Sequence, residues 1–362
     1  MDFFIILQKN ICIYKKNICN IVTFKKHLFD ASFYMIHIRK LFLTIFLLFS
    51  VGITAYSQDP HFSQYYANPL YLNPAFAGTA VCPRLIMNYR NQWPAIPGTY
   101  VTYSVSYDQH IENMSGGIGL LINSDKAGEG TLTTNMISGI YSYRLQVNRK
   151  FSIKAGLQAT YFQKRIDWEK LTFGDQIDPK YGFVYYTQES RPKDMTKGTP
   201  DFSAGILGYG ESVYGGVAFH HITEPNEGFF SLSKLPMKFT AHLGGIIDLE
   251  HHRRRRKIDD PILSPNILFM KQQDFEELNY GLYLNKYPLI GGLWFRQNFH
   301  NPDAFIALIG IQTSVVKIGY SYDVTVSKLT TASGGSHEIS FALQFDCRPK
   351  KKRIRSLVCP SF

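Results

Sequence analysis

Along most of the chain, apolar and polar residues alternate with a period of two, the pattern of a strand with two unlike faces. In the clearest run, Phe151, Ile153, Ala155, Leu157, Ala159 and Tyr161 fall on one face, and Ser152, Lys154, Gly156, Gln158 and Thr160 fall on the other. Val101, Tyr103, Val105 and Tyr107 alternate with Thr102, Ser104 and Ser106. Met237, Phe239, Ala241 and Leu243 alternate with Lys238, Thr240 and His242. Val316, Ile318, Tyr320 and Tyr322 oppose Lys317, Gly319 and Ser321, and Ile339, Phe341, Leu343 and Phe345 oppose Glu338, Ser340 and Gln344. The pattern predicts fourteen strands, at 84–92, 99–108, 116–124, 131–146, 151–161, 200–209, 212–220, 237–249, 262–271, 275–285, 289–298, 304–312, 315–322 and 337–345. Most reach the ~9–11 residues that a strand needs to cross a bilayer. The even count suits a closed single-chain barrel in the outer membrane. The connections alternate in length: 109–115, 147–150, 210–211, 286–288 and 313–314 are short, whereas 162–199, 221–236 and 323–336 are long. That places the short set on the periplasmic side. The exception is the twelve-residue connection 250–261.

A soluble sandwich also alternates, so composition and the start of the chain decide between the two. Aromatic residues make up 15% of the chain, including 23 Tyr and 27 Phe, and charged residues only 19%. Both values favour strands set in lipid between aromatic girdles. From Met35, the basic pair Arg39 and Lys40, the apolar run 41–49 and the small residues Gly52, Ala55 and Ser57 form a secretory leader over 35–57, with cleavage expected before Gln58. The apolar run is short for a membrane-spanning anchor. Residues 1–34 fit no part of such a leader and read as a mis-assigned start or an extended leader. The expected fold is therefore all-β, a transmembrane antiparallel outer-membrane barrel. It comprises an N-terminal segment at 58–83, the barrel at 84–345 and a basic periplasmic tail at 346–362.

The net charge of +11 is concentrated. Arg253, Arg254, Arg255 and Arg256 form one cluster, and Lys350, Lys351, Lys352 and Arg353, flanked by Arg348 and Arg355, form another. In an exported chain these clusters point to anionic protein surfaces or lipid headgroups and not to nucleic acid. Cys82 precedes the first strand and Cys347 follows the last, so both fall at one rim of a closed barrel; a disulfide between them, a pair involving Cys359, and free thiols all remain open. The sequence carries no Gly-x-Ser-x-Gly elbow, phosphate-binding glycine loop or His-Glu-x-x-His motif, so it reads as non-enzymatic and without a cofactor. The histidine pairs 220–221 and 251–252 are adjacent in sequence, and neighbours in a strand face opposite ways, which disfavours a shared metal. His242 lies on the polar face as a luminal hydrogen-bonding residue, and Asp59 and Glu338 are candidates for luminal salt bridges with Arg84, Lys154 or Lys317.

Between the leader and the first strand lies a segment with no strand pattern. Asn68-Pro69 and Asn73-Pro74 mark turns, Gly78 permits a tight bend, and Phe62, Tyr65, Tyr66, Tyr71 and Phe76 need burial, in the lumen or against the periplasmic rim. With Phe62-Ser-Gln-Tyr-Tyr66, Leu72-Asn-Pro-Ala-Phe-Ala-Gly78, Asn91-Gln-Trp93-Pro94, Ser104-Val-Ser-Tyr107, Gly116-Gly-Ile-Gly119 and Ser333-Gly-Gly-Ser-His-Glu-Ile-Ser340, the chain resembles the PorP/SprF family of the Bacteroidetes type IX secretion system. The resemblance implies an outer-membrane barrel that supports export or surface delivery of sorting-domain proteins, including gliding adhesins. It also implies partners among periplasmic apparatus lipoproteins and a peptidoglycan-associated protein. Phe62, Tyr65, Tyr66, Asn68, Pro69, Asn73, Pro74, Gly78, Trp93 and the two basic clusters are the candidate partner or packing sites. A passive porin or hydrophobic-solute channel is the alternative.

Overall fold

The computed structural model describes residues 59–80, 82–128, 130–148, 150–250, 260–299, 301–326, 334–345 and 347. The expected leader, both basic clusters, His251, His252 and Cys359 lie outside them. The barrel strands are β1 (Arg84–Gln92), β2 (Tyr100–Ile111), β3 (Gly116–Ala127), β4 (Leu132–Gln146), β5 (Ser152–Ile166), β6 (Thr196–Tyr209) and β7 (Val213–His220). They continue as β8 (Lys238–Gly245, resuming at Ile247–Asp248), β9 (Ile262–Gln272), β10 (Phe275–Lys286), β11 (Leu289–Gln297), β12 (Pro302–Gln312), β13 (Val316–Thr325) and β14 (Ser336–Gln344). Each strand pairs antiparallel with its sequence neighbours, and β1 pairs with β14 from Arg84↔Gln344 to Gln92↔Ser336, which closes the wall. The gap in β8 is local. Ile246 donates its N–H to the Ser212 carbonyl at 2.8 Å, and the pairing Ile247↔Leu263 keeps the register of Gly244↔Asn266. Closure leaves no sheet edge, so every strand finds its backbone partners within the wall, as lipid requires.

All fourteen expected strands are present. Their ends differ chiefly at the rim of the long loops, where β5 runs to Ile166, β6 begins at Thr196 and β13 reaches Thr325. There both faces carry polar residues, as in Gln163, Lys164 and Arg165 of β5, so the period-two signal fades while the hydrogen-bonded ladder continues. The loop between β5 and β6 carries a small hairpin, Ile177–Asp178 against Gly182–Phe183.

The faces are inverted relative to a water-soluble sandwich. Leu157, Ile309, Leu293 and Ile137 stand outside and exposed, while Lys154, Gln158, Thr160, Ser138 and Ser142 stand inside and buried. Among the described residues no helix is long and apolar enough to cross a membrane.

Cys82 and Cys347 form a disulfide with Cα atoms 5.6 Å apart, tying the start of β1 to the end of β14 at the rim of the short turns. Of the pairings left open by the sequence, this is the one the fold adopts.

Candidate functional site: a luminal strap and its latch

The segment 59–79 does not cap a rim. It runs through the lumen from the long-loop rim to the short-turn rim, and its sequence explains its shape. Pro69 opens a single helical turn, Pro69–Leu72, and Pro74 opens a 3-10 turn, Pro74–Phe76. A proline at the first helical position gives up only an N–H that the turn leaves unpaired. Asn73 sits between the turns, and its side-chain oxygen accepts from Ala75 N at 2.9 Å. Its Nδ2 donates to the carbonyls of Ile206 and Val217, each at 3.2 Å, so one side chain both caps a turn and fastens it to the wall.

The strap is packed on nearly all sides. Phe62, Tyr65, Tyr66, Leu70, Leu72, Ala75, Phe76 and Ala77 are buried, against wall residues that include Leu121, Leu207, Tyr214, Leu268, Trp294 and Ile306. The Tyr65 and Trp294 ring centroids are 5.3 Å apart, Tyr66 meets Tyr214 edge-on at 5.7 Å, and Phe76 stacks on His242 at 5.3 Å. Aromatic pairs in this range add ~0.5–1.5 kcal/mol beyond their area. The luminal glycines of β3, β5 and β6 make room for this packing: a Cβ on Gly117, Gly156 or Gly205 would strike Ala77, Ala75 or Asn73. Gly78, at φ +62°, turns the chain toward β1; its N–H donates to Asp108 Oδ2 at 2.8 Å, and a Cβ there would lie 2.6 Å from Gly117 Cα.

At the long-loop end the strap is held by charge. Arg90 binds Asp323 at 2.9 Å and Glu338 at 3.2 Å, and donates to Ser63 Oγ at 2.6 Å. Ser63 in turn donates to Asp323 at 2.5 Å and offers its backbone N–H to Glu338 at 2.6 Å. Gln64 donates to Ser321 and to the Glu338 carbonyl. Arg296 reaches Asp323 at 3.2 Å and His61 Nε2 at 3.0 Å. Burial, together with Arg296, pushes His61 well below its usual pKa, so its neutral ring accepts from the guanidinium.

Beside this network lies a latch made by three elements. His221 places Nε2 2.9 Å from Asp59 of the strap and Nδ1 2.8 Å from Asp201 of β6, while Lys238 of β8 reaches Asp59 at 2.5 Å. Burial alone would disfavour the charged imidazole, but Asp59 and Asp201 overcome it and raise His221 to about 9. Burial opposes ionisation of Asp59 too, yet His221 and Lys238 hold its carboxyl well below the usual carboxylate range. A protonated ring donating from both nitrogens to two carboxylates is the arrangement this chemistry favours.

The loop after His221 folds back over the mouth. Leu235 packs with Met136 and Phe162, Glu227 pairs with Lys164 at 2.8 Å in a buried bridge, and Lys197 donates to the Gly228 carbonyl. The strap thus runs the lumen from rim to rim, and this loop covers its long-loop end.

Several expectations from the sequence need correction. Asp59 and Glu338 do form luminal salt bridges, but with His221 and Lys238 and with Arg90; Arg84 pairs instead with Asp108 at 2.9 Å, and Lys154 donates to the Ala77 carbonyl. Strand register sets two of these pairs, because Arg90 lies opposite Glu338 and Arg84 opposite Asp108 on paired strands, whereas the strap brings Asp59 to His221 and Lys238. His220 and His221 do not face opposite ways. Both are buried, because His221 leaves β7 in a left-handed conformation, φ +56°, which turns its ring back into the lumen. Trp93 stands apart from the strap, just beyond β1, with its N–H on the Gly335 carbonyl at 2.9 Å and its ring edge-on to Tyr100. Asn68 donates to Ser104 Oγ at 2.9 Å. The latch residues His221, Lys238 and Asp201, and Arg90 and Arg296 of the charged network, were not singled out as site residues; buried charge on a luminal face was the available signal. Among the described residues, no group of three or more His, Cys, Asp or Glu side chains is arranged to hold a metal ion.

Among solved structures, the chain is similar to the outer membrane protein Omp33 of Acinetobacter baumannii, at 8% identity and a TM-score of 0.41, covering 74% of this chain and 100% of that one. It is also similar to the KdgM porin, at 9% identity and a TM-score of 0.33, covering 73% of this chain and 99% of that one. A third similarity is to a mutant porin of Rh. blastica, at 5% identity and a TM-score of 0.32, covering 74% of this chain and 100% of that one. At these scores the fold rests on the strand pairing itself, which is that of a multi-pass outer-membrane barrel. No curated protein matches. The family described as type IX secretion system membrane protein PorP/SprF matches over residues 54–343, most of the chain. With a closed fourteen-strand wall, an apolar exterior and that match, the chain belongs to the PorP/SprF family of outer-membrane proteins, which are transport components and not enzymes.

Proposed function

We propose that this barrel supports export or surface delivery of sorting-domain proteins as a plugged, organising component of the type IX machinery, and that cargo does not pass through its lumen. The observation that carries the reading is the strap: its apolar side chains from Phe62 to Ala77 are buried in the lumen, with Tyr71 alone partly so. A polypeptide in transit would have to displace all of them together with the buried charges around Arg90.

Work in export then falls to the two rims. The sequence leads us to expect the basic connection between β8 and β9 and the basic tail on the short-turn side. There their charge suits anionic faces of periplasmic apparatus lipoproteins and of a peptidoglycan-associated protein, steering encounter more than setting affinity. The filled lumen weighs against the passive-porin alternative.

Deleting the gene in its host and comparing surface and periplasmic proteomes, with plasmid complementation, tests the proposal. Restorable loss of many sorting-domain proteins from the surface marks a core component, and restorable loss of one adhesin marks a dedicated exporter. Unchanged export would reject the secretion role.

A further inference from the structure

The wall is not level at its long-loop rim. β5 and β6 pair as far as Arg165↔Thr196, whereas β6 and β7 pair only from Tyr209↔Tyr214 to Ala204↔Phe219. Residues 196–203 of β6 therefore have a strand on one side alone. The chain that could have continued β7 turns away. His221 and Glu224 both adopt positive φ, +56° and +44°, and Thr223 between them donates to the buried Asp201 at 2.8 Å.

Backbone groups of successive strand residues point to alternate sides. Gly210 donates to the Val213 carbonyl at 2.8 Å and Phe202 accepts from Ile222 at 3.0 Å, so even-numbered residues of β6 face the β7 side. On the other side Ile166 donates to the Met195 carbonyl at 3.0 Å. Beyond Phe202, Thr196, Gly198 and Pro200 aim their carbonyls at a side where the wall has no strand, and Thr196 and Gly198 aim their N–H groups there too. All three residues are exposed. This edge lies beyond Phe219 and Phe239, whose rings, 5.2 Å apart, end the lipid-facing wall of β7 and β8. Lipid would not tolerate it; with the short turns periplasmic, it stands in water at the cell surface.

We propose that this edge docks an extended segment of an exported sorting-domain protein, which adds to β6 as one further strand above β7. The choice of occupant rests on the export role proposed above. Recognition through backbone groups suits partners of differing sequence, with side chains adding selectivity. Thr196 and Gly198 can each exchange two bonds with the arriving strand, while Pro200 supplies an acceptor and, lacking an N–H, keeps the site short. Tyr161, Phe202 and Ile222 are exposed beside it and offer apolar surface to that segment, and the exposed Arg165, opposite Thr196, suits a carboxylate at its end.

A second copy of this chain does not fit the edge. Two copies sharing a membrane are related by rotation about its normal, so strands tilted by about 35–45° meet at about 70–90°, too steep for a ladder. The loop after His221 is committed inward, with Leu235 against Met136 and Phe162 and Glu227 on Lys164.

The test separates backbone pairing from bulk. Gly198→Pro removes the N–H on the open side and leaves the ladder to β5 its partners. Gly198→Ala keeps the N–H and adds a Cβ at the same place, where both variants displace the Tyr161 hydroxyl. The photo-reactive residue p-benzoylphenylalanine replaces Gln163, opposite Gly198 on β5, in the full chain of each variant. Intact cells of the deletion host are irradiated and the adducts identified by mass spectrometry, with folding read from the Cys82–Cys347 disulfide. The Gly198→Ala chain should give adducts with sorting-domain proteins, and Gly198→Pro should reduce them about tenfold, as an acceptor left unpaired on the partner strand implies. Equal yields in the two variants, adducts with a second copy alone, or no sorting-domain adduct would overturn the proposal. Should Gly198→Pro not fold, Thr196→Pro against Thr196→Ala, whose N–H points the same way, takes its place. The export role is read separately from the deletion. Export unchanged by deletion, with adducts that respond to proline, would reject that role and keep the docking edge; export lost on deletion, with adducts that do not respond, would do the reverse.

Discussion

Gly156 offers the sharpest perturbation of the strap. It lies on the luminal face of β5, beneath the second turn. A Cβ built there falls 2.5 Å from the Pro74 carbonyl carbon and 2.7 Å from Ala75 Cα. Non-bonded carbons settle at about 3.5–4.0 Å, and both obstacles are backbone atoms that no rotamer change can move. Asn73 pins the same stretch to two wall carbonyls, so Gly156→Leu has to lift it. Overpacking costs about 1–3 kcal/mol, and freeing Phe76 forfeits a further 1.5–3 kcal/mol or so, for a total of about 2.5–6 kcal/mol. Gly139 is the control: it faces outward from β4, and nothing lies within 4 Å of its added Cβ. Thermal unfolding in detergent and conductance across planar bilayers read the outcome. Gly156→Leu should unfold at lower temperature and show conductance steps that wild type and Gly139→Leu lack. If Gly156→Leu matches Gly139→Leu in both readouts, the strap does not bear on the wall as described.

Other consequences follow from the charged groups and the disulfide. Arg90→Met leaves Glu338 without its cation and Asp323 with Arg296 alone, and should cost about 3–5 kcal/mol of unfolding free energy, largely recovered in Arg90→Met/Glu338→Gln. Because His221 titrates near 9 in the folded chain against 6.5 ordinarily, the stabilisation it supplies is complete below about pH 6.5 and is lost as pH rises through about 9. The melting temperature of wild type should therefore fall across that window, and His221→Gln should flatten the fall. Asp59 has the opposite sign: its folded value is depressed, so its contribution is present above its ordinary value of 3.8 and disappears as the pH falls below that, an acid loss that Asp59→Asn should remove. Cys82→Ser should lower the unfolding free energy by about 2–4 kcal/mol without changing the strand content seen by circular dichroism.

The wall was legible because alternation is a local signal. The run from Phe151 to Tyr161 names its own lipid and luminal faces without reference to any other strand, and the same holds for Lys238, Thr240 and His242. The rim disulfide was within reach for a related reason: closure brings the first and last strands together whatever lies between. The site was legible only in outline. The Asn-Pro pairs and crowded aromatic residues of 62–76 announced a turn-rich segment in need of burial, but not its path. Ser63 and Glu338 meet across 275 residues, and no periodicity encodes that contact. The left-handed turn at His221, which carries the latch histidine inward, has no glycine to announce it.

Locking the strap in place separates an organising barrel from a conduit. A Cβ on Gly119 would stand 3.4 Å from the Ala77 Cβ, close to the ~3.5–4.5 Å span of a disulfide, so Ala77→Cys/Gly119→Cys should cross-link strap to wall in the oxidising periplasm. The measurement is the surface abundance of sorting-domain proteins in a deletion host complemented with this variant, with cross-linking verified by mass spectrometry. A plugged organiser predicts wild-type export with the strap locked. Export that both single-cysteine variants sustain but the cross-linked barrel abolishes would mean that the strap must leave and that cargo, or a gating step, uses the lumen.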